Sequence, residues 1–160
     1  MRPLVLVCLL VVGCRAASGT GHDGRASVVE VIDGDTVVVA VGGREEHVRL
    51  IGIDTPEVYV DAGEQPDCYG PEASTFTKRL LSPGTAVILV RDVVGRDDYG
   101  RLLAYVSLAA DGRMVNELIV AGGYATPLSI PPNTAHAGRF VAAARTAEAA
   151  GLGLWGACGG

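Results

Sequence analysis

The chain has 160 residues, of which 49% are hydrophobic, and a formal net charge of −5 from 13 basic and 18 acidic residues. This length supports one domain with a sizeable core and is too short for two domains of ordinary size. Nucleic-acid-binding domains are typically basic on one face, so the acidic total argues against a tight, sequence-tolerant DNA clamp. The total charge does not argue against an enzyme that contacts phosphates at one metal-assisted site.

Residues 1–13 have the features of an export signal. Arg2 supplies a positive charge, and Pro3–Val12 is an apolar segment too short to span a bilayer. The tetrapeptide VVGC, which ends at Cys14, is similar to a bacterial lipobox, where a lipid is attached to the cysteine after cleavage. We therefore expect export to the bacterial cell surface, with a lipid on Cys14 as the only membrane contact. The alternative is cleavage near Ala16–Ser18 and secretion.

The cysteine count agrees with export. Of the four cysteines, Cys8 is removed with the cleaved signal and Cys14 carries the lipid, so Cys68 and Cys158 remain to form a pair. In an oxidising compartment we expect a disulfide between these two, which ties the C-terminal segment to a loop in mid-chain. Two unpaired thiols are the alternative.

Three β-branched runs follow a small, polar tether at residues 14–25. They read SVVEVI, TVVVAV and HVRLIGI, and the turn signals Asp33-Gly34-Asp35 and Gly42-Gly43 separate them. Such signals between short apolar runs are typical of hairpins, so the runs predict a meander of three strands. The next segment, Pro56–Tyr69, is acidic and interrupted by glycine and proline, which predicts a surface loop.

The second half of the chain predicts three helices and two strands. GPEASTFTKRLLSPG begins with Pro71 and Glu72 and stops at Pro83-Gly84, as a helix does. AVILVR and LLAYVSL predict strands, MVNELIVAGG a short helix, and the alanine-rich stretch after Asn133 or Thr134, its expected N-cap, a longer helix. Residues 26–158 thus predict an α+β domain. We expect its five strands to form an antiparallel barrel, because closure removes exposed strand edges.

Five short motifs succeed one another along the chain: DGDT, RLIGIDTPE, YGPEAS, DDYGR and MVNE. Each motif has a structural explanation when taken alone. DG is a turn signal, DTPE is a sequence that ends a strand, and the arginine of YGR could be a surface cation near a hairpin. In this order and spacing, from about Val28 to Trp155, they resemble the staphylococcal nuclease (thermonuclease) family. The resemblance implies a five-stranded, OB-like barrel with three helices.

The resemblance also implies site residues. The implied calcium (Ca²⁺) ligands are Asp35, Asp54 and the backbone carbonyl of Thr55. The implied catalytic residues are Arg49, Glu57 and Arg101. Calcium prefers hard oxygen ligands, two arginines can each give forked hydrogen bonds to one phosphate, and a carboxylate such as Glu57 can take a proton from water. Tyr99 is the implied substrate contact, and Asp33 is either a turn residue or an acid behind the calcium ligands.

These residues imply a calcium-dependent phosphodiesterase. By resemblance it is expected to be a monomer that cleaves DNA and RNA with little sequence preference, favours single strands, and breaks the 5′ P–O bond to leave 3′-phosphate ends. The alternative is a non-catalytic barrel that binds nucleic acid or protein at the cell surface. A barrel that binds oligosaccharide is permitted by the fold, but no residue supports it.

The proposed site has one geometric requirement and three departures from the family. Side chains alternate along a strand, so a regular strand puts Arg49 and Asp54 on opposite faces, and we predict a bend at Gly52.

The best-known member has tyrosines where this chain has Leu128 and Ile130, and a phosphate-contacting lysine where this chain has Asp98. Lost stacking and an added negative charge predict a weaker grip on nucleotides.

Overall fold

The structure is a computed structural model that describes residues 24–58 and 65–159. The predicted signal at 1–13, the lipid site Cys14, the tether up to residue 23 and the middle of the acidic loop, 59–64, lie outside the described residues.

Five of the strands close into a barrel in the order β1-β2-β3-β6-β5. In chain order the elements are β1 (Gly24–Asp33), β2 (Thr36–Val41), β3 (Arg44–Leu50), β4 (Gly52–Asp54), α1 (Gly70–Leu80), β5 (Ala86–Val90), β6 (Leu102–Leu108), α2 (Val115–Ala121), β7 (Thr126–Leu128), α3 (Ala137–Ala149) and α4 (Leu154–Ala157). The predicted α+β class with a five-stranded barrel and three main helices is confirmed. Strand β1 starts ahead of the predicted domain boundary at residue 26, because Gly24 and Arg25 pair with Leu89 and Ile88 of β5.

One pair of barrel strands is parallel. Strand β3 runs parallel to β6, with Val48 opposite Leu102, whereas the other four neighbouring pairs are antiparallel. A closed ring of five strands cannot alternate direction all the way round, because five is odd. The prediction of a fully antiparallel barrel is therefore wrong at this pair.

The barrel interior is filled by aliphatic side chains. Val37, Val39, Val48, Leu50 and Val106 are fully buried. Burying a side chain of this size contributes about 1.5–3 kcal/mol, so the β-branched runs of the sequence supply the core. Helices α1 and α2 pack on the barrel, and α3 packs on α2.

The chain bends sharply as it leaves the barrel. Gly52 has φ +83°, and β4 pairs with β7 in a separate two-stranded sheet. A Cβ at Gly52 would overlap the ring of Phe140. Glycine therefore suits this position for two reasons: it has no side chain, and it adopts the left-handed backbone conformation readily. The buried amide of Asn116 secures the bend by donating to the carbonyl of Ile51 and accepting from the N–H of Val106, both at 2.9 Å. The bend predicted at Gly52 is confirmed.

The sequence pattern missed two short elements and one cap. Strand β7 and helix α4 were not predicted, and α3 begins at Ala137 with His136 at the N-cap position. Asn133, an expected cap, instead bonds the backbone N–H and carbonyl of Val94 through its amide, both at 2.8 Å. None of the helices within the described ranges is long and apolar enough to cross a membrane.

The structure brings the two predicted partner cysteines together. The Sγ atoms of Cys68 and Cys158 are 2.08 Å apart and their Cα atoms 5.9 Å apart, which is a disulfide. The bond ties the end of the chain to the residues just before α1.

Candidate active site

Asp35 lies in the turn between β1 and β2 and is buried, with 5% of its surface exposed. Its Oδ2 accepts hydrogen bonds from the backbone N–H and the hydroxyl of Thr55, both at 3.0 Å. A Cβ at Gly34 would lie 2.6 Å from Thr55 Oγ1, so the glycine of DGDT permits this close approach. Burial raises the pKa of Asp35, while the charge of Arg49 and the bonds from Thr55 act against that rise.

The guanidinium of Arg49 lies between the two predicted calcium carboxylates. Its Nη1 is 2.8 Å from Asp35 Oδ2, and its Nη2 is 2.8 Å from Asp54 Oδ1. Nη1 also donates to the carbonyls of Leu50 at 3.0 Å and Ile53 at 3.1 Å, on the two sides of the bend. Among the described residues, Nε has no acceptor and Nη2 has only Asp54, so N–H groups on that side of the guanidinium remain for a ligand.

Arg101 is held in a different way. Its Nε donates to Asp97 Oδ2 at 2.7 Å, and its backbone N–H donates to Asp97 Oδ1 at 2.8 Å. Burial works against ionisation of Asp97, but the hydrogen bonds and charge of Arg101 outweigh it and lower the pKa of Asp97 below its usual value. Within the described ranges, the two Nη groups of Arg101 have no acceptor, so its forked end is available to an anion.

Arg49 and Arg101 line one cleft of about 460 Å³. Much of its wall is apolar, including Leu103 and Pro132, and the three departures from the family, Asp98, Leu128 and Ile130, all line it. Tyr99 is not among the described lining residues. It is 87% exposed, and its ring centroid lies 5.6 Å from Arg101 Cζ, at cation–π distance.

Glu57 lies three residues after the end of strand β4. Its backbone N–H donates to Asp67 Oδ2 at 3.1 Å, and its carbonyl accepts from the N–H of Asp67 at 2.9 Å. The residue as a whole is exposed, yet desolvation of its carboxyl raises the pKa of Glu57 to about 7. The neighbouring carboxyl of Asp33 and the charge of Asp35 act in the same direction, and Arg49 opposes them. Glu57 therefore lies in the electrostatic field of the Asp35–Arg49 cluster.

Asp33 has the turn role considered from sequence. Its Oδ1 accepts from the N–H of Gly34 at 2.7 Å, which stabilises the turn. Its carboxyl also raises the pKa of Glu57, while its role as an acid behind the calcium ligands stays a prediction.

The predicted metal donors suit calcium. The carboxylates of Asp35 and Asp54 each lie 2.8 Å from the guanidinium of Arg49, so two hard oxygen donors of the kind that calcium prefers face one cationic group. No group of three or more His, Cys, Asp and Glu side chains clusters within residues 24–58 and 65–159. The predicted set needs only two such side chains, since its third donor is a backbone carbonyl. A cation bound here would compete with Arg49 for the two carboxylates.

The structure thus places the sequence-predicted residues in two connected groups. Asp35, Arg49, Asp54, Thr55 and Glu57 form one group, and Arg101 shares a cleft with Arg49. Sequence reasoning missed Asp97 as the anchor of Arg101. Its position four residues before Arg101 in the turn DDYGR is the signal that points to such a pair.

Comparison with known proteins agrees with the motifs. The family model described as staphylococcal nuclease homologue matches residues 47–157. The thermonuclease of Staphylococcus hyicus is 40% identical over 141 residues, which cover 88% of this chain and 80% of the relative. The thermonuclease of Staphylococcus intermedius is 39% identical over 140 residues, covering 86% and 80%. Endonuclease YncB of Bacillus subtilis (strain 168) is 36% identical over 126 residues, covering 78% and 58%. The chain belongs to the staphylococcal nuclease family.

Proposed function

We propose that this chain is a calcium-dependent nuclease, a phosphodiesterase that hydrolyses DNA and RNA with little sequence preference. The observation that carries the proposal is the placement of Arg49, whose guanidinium contacts Asp35 and Asp54 and also lines the cleft that Arg101 enters. The family and the printed names of the nuclease relatives support the same class of reaction.

The two arginines suit a phosphodiester because each is fixed through some of its nitrogen atoms, while its other N–H groups have no acceptor among residues 24–58 and 65–159. Arg49 is held through Nη1 by two carbonyls, and Arg101 is held through Nε by Asp97. A scissile phosphate gains negative charge in the transition state, and donors that are already oriented stabilise that charge without reorganising. Each such donor typically contributes about 10²–10³-fold to the rate.

Glu57 is the proposed general base. It stands three residues from Asp54, and its carboxyl would take the proton from the water that attacks phosphorus. Asp35, Asp54 and the Thr55 carbonyl would hold calcium, which supplies Lewis-acid stabilisation of phosphate charge. Following the family, we propose cleavage of the 5′ P–O bond, which leaves 3′-phosphate ends.

The second candidate is a non-catalytic binding module. Asp98, Leu128 and Ile130 favour it, because an acid and two aliphatic side chains in the cleft weaken binding of nucleotides. A binder, however, needs no base, and Glu57 stands where the family has one, so we prefer the enzyme.

Localisation and assembly rest on the sequence alone. We propose an exported, monomeric protein that is anchored by a lipid on Cys14 and favours single-stranded substrates. Mass spectrometry of the mature N-terminus tests the lipid.

One assay decides between enzyme and binder. Purified protein is incubated with single-stranded DNA in calcium and then with a chelator, and Glu57→Gln is compared with Glu45→Gln, an exposed glutamate at the far end of β3. We expect cleavage that the chelator and Glu57→Gln abolish and Glu45→Gln leaves unchanged. Binding without cleavage at any calcium concentration establishes the second candidate instead.

A further inference from the structure

Arg96 makes side-chain contacts at the turn that precedes Arg101, one of the arginines that line the cleft. Arg96 Nη1 and Nη2 each lie 3.0 Å from a carboxylate oxygen of Glu46, in a bidentate ion pair. Arg96 Nη1 also donates to the carbonyl of Gly100 at 2.6 Å. Because Gly100 immediately precedes Arg101, this guanidinium connects strand β3 to the residue next to Arg101.

The strand pairing explains how these two distant residues meet. Leu102 pairs with Val48 on β3 and with Arg96 across its own hairpin. Glu46 stands two residues before Val48 and so points to the same face of β3. The pair spans 50 residues of sequence, and the hydrogen bonds from Arg96 hold the pKa of Glu46 below its usual value, so the pair is charged at neutral pH.

The bonds of Asp97 cannot supply this connection. Asp97 accepts from the N–H groups of Tyr99 and Arg101 and from Arg101 Nε, all within one turn. These bonds orient Arg101 relative to the turn but not relative to the barrel. The Glu46–Arg96 pair joins the turn to β3, which is the strand that carries Arg49.

We propose that Glu46 and Arg96 are positioning residues that set the separation between the guanidinium groups of Arg49 and Arg101. The inference rests on the proposed nuclease function, in which both groups bind one phosphate. A misplacement of about 1 Å in such a site can cost about 10²-fold in rate. The side chain of Arg96 is 48% exposed and that of Glu46 is 17% exposed, so urea unfolding of each variant separates a loss of positioning from a loss of stability.

The first test is kinetic. Arg96→Gln breaks the ion pair, and we expect kcat to fall about 10-fold while KM changes less than about two-fold, because an interaction realised in the transition state is disturbed. Glu46→Gln should have a similar effect. The double variant should be no slower than either single variant, because both break the same link. Arg96→Lys, which keeps the charge, should recover part of the rate.

Arg113→Gln is the matched control. Arg113 is an exposed arginine with its own ion pair, 2.8 Å from Asp111, and it lies outside the cleft lining. We expect Arg113→Gln to keep the wild-type kcat. Equal kcat values for Arg96→Gln and Arg113→Gln overturn the proposal. A raised KM with unchanged kcat in Arg96→Gln also overturns it, because Arg96 would then contact the substrate directly.

A second readout does not depend on cleavage. Crystal structures of the wild type, Arg96→Gln and Arg113→Gln give the distance between the Cζ atoms of Arg49 and Arg101. We expect this distance to change in Arg96→Gln alone, and an unchanged distance overturns the proposal. If the wild type shows no calcium-dependent cleavage, the proposed function fails, and this measurement still decides the positioning role.

Discussion

Arg49 Nη2 lies 2.8 Å from Asp54 Oδ1, although the two residues would be on opposite faces of a regular strand. The contact exists because the chain turns out of the barrel at Gly52, whose φ is +83°. The ring of Phe140, on α3, occupies the space beside Gly52, so the bend depends on both backbone conformation and helix packing.

Gly52→Ala should therefore destabilise the protein by about 2–4 kcal/mol, from the left-handed conformation and from overpacking against Phe140. Urea unfolding measures the loss. Gly84→Ala is the control, because Gly84 has φ +85° and no atom of the described residues lies within 4 Å of an added Cβ. We expect the control to show only the conformational cost, about 1–2 kcal/mol. Equal losses at both positions would show that the ring contact has no effect.

The sequence predicted the barrel strands, the main helices and the bend because each depends on local composition or on alternation along one strand. It did not predict β7, a three-residue strand with Pro127 at its centre, since only pairing with β4 makes it a strand. The Glu46–Arg96 pair joins residues 50 apart and leaves no local pattern. Asn133 suits an N-cap by its chemistry, but its amide is already used by Val94. The parallel β3–β6 pair, by contrast, follows from the odd number of strands.

The planar geometry of the Arg49 side chain should matter for catalysis, and its positive charge should matter for stability. Arg49→Lys keeps a positive charge near Asp35 and Asp54 but has no planar fork, so kcat/KM should fall about 10²–10³-fold with a small change in stability. Arg49→Met leaves the buried Asp35 without its cationic partner and should cost about 3 kcal/mol in chelator. Kinetics and urea unfolding measure the two effects. An Arg49→Met variant as stable as wild type would show that the ion pair is not structural.

Asp98 should weaken substrate binding through its charge. Each of the three arginines that line the cleft, Arg49, Arg96 and Arg101, has an acidic partner, whereas Asp98 forms no ion pair among the described residues. One charge at contact distance in water is worth about 1 kcal/mol, so Asp98→Asn should lower KM for single-stranded DNA about five-fold at low salt. Glu148→Gln removes an exposed charge on α3 as a control. Equal changes in both variants would assign the effect to net charge rather than to the cleft.

The Cys68–Cys158 bond should stabilise the fold, because it links residues 90 apart in sequence. Removal of a disulfide from a small exported domain typically costs about 2–5 kcal/mol, and we expect this loss for Cys158→Ser. The double variant with Cys68→Ser should be no less stable than the single one, and reductant should bring the wild type to the same value. Wild-type stability that is unaffected by reductant would mean that the thiols are not joined.

Asp92 should give the protein an acid-sensitive contribution to stability. Its pKa is lowered by the hydrogen bond from the N–H of Ala135, at 3.0 Å to Oδ2, and further by the hydroxyl of Tyr105 and the N–H of Val93. A depressed folded pKa means that the stabilisation is complete above the ordinary aspartate value, near 3.9, and is lost as pH falls through the lower folded value.

Asp92→Asn should accordingly cost about 1–2 kcal/mol between pH 5 and 7, which is less than the usual about 1.5–3 kcal/mol for hydrogen bonds to a charged group because Asp92 is half-buried, and progressively less below about pH 4. Urea unfolding of both proteins at a series of pH values measures the difference. Tyr105→Phe removes one of the donors, at 2.9 Å, and should weaken the pH-dependent part without abolishing it. A difference between wild type and Asp92→Asn that stays constant down to pH 2.5 would show that ionisation of this carboxyl does not stabilise the loop at Ala135.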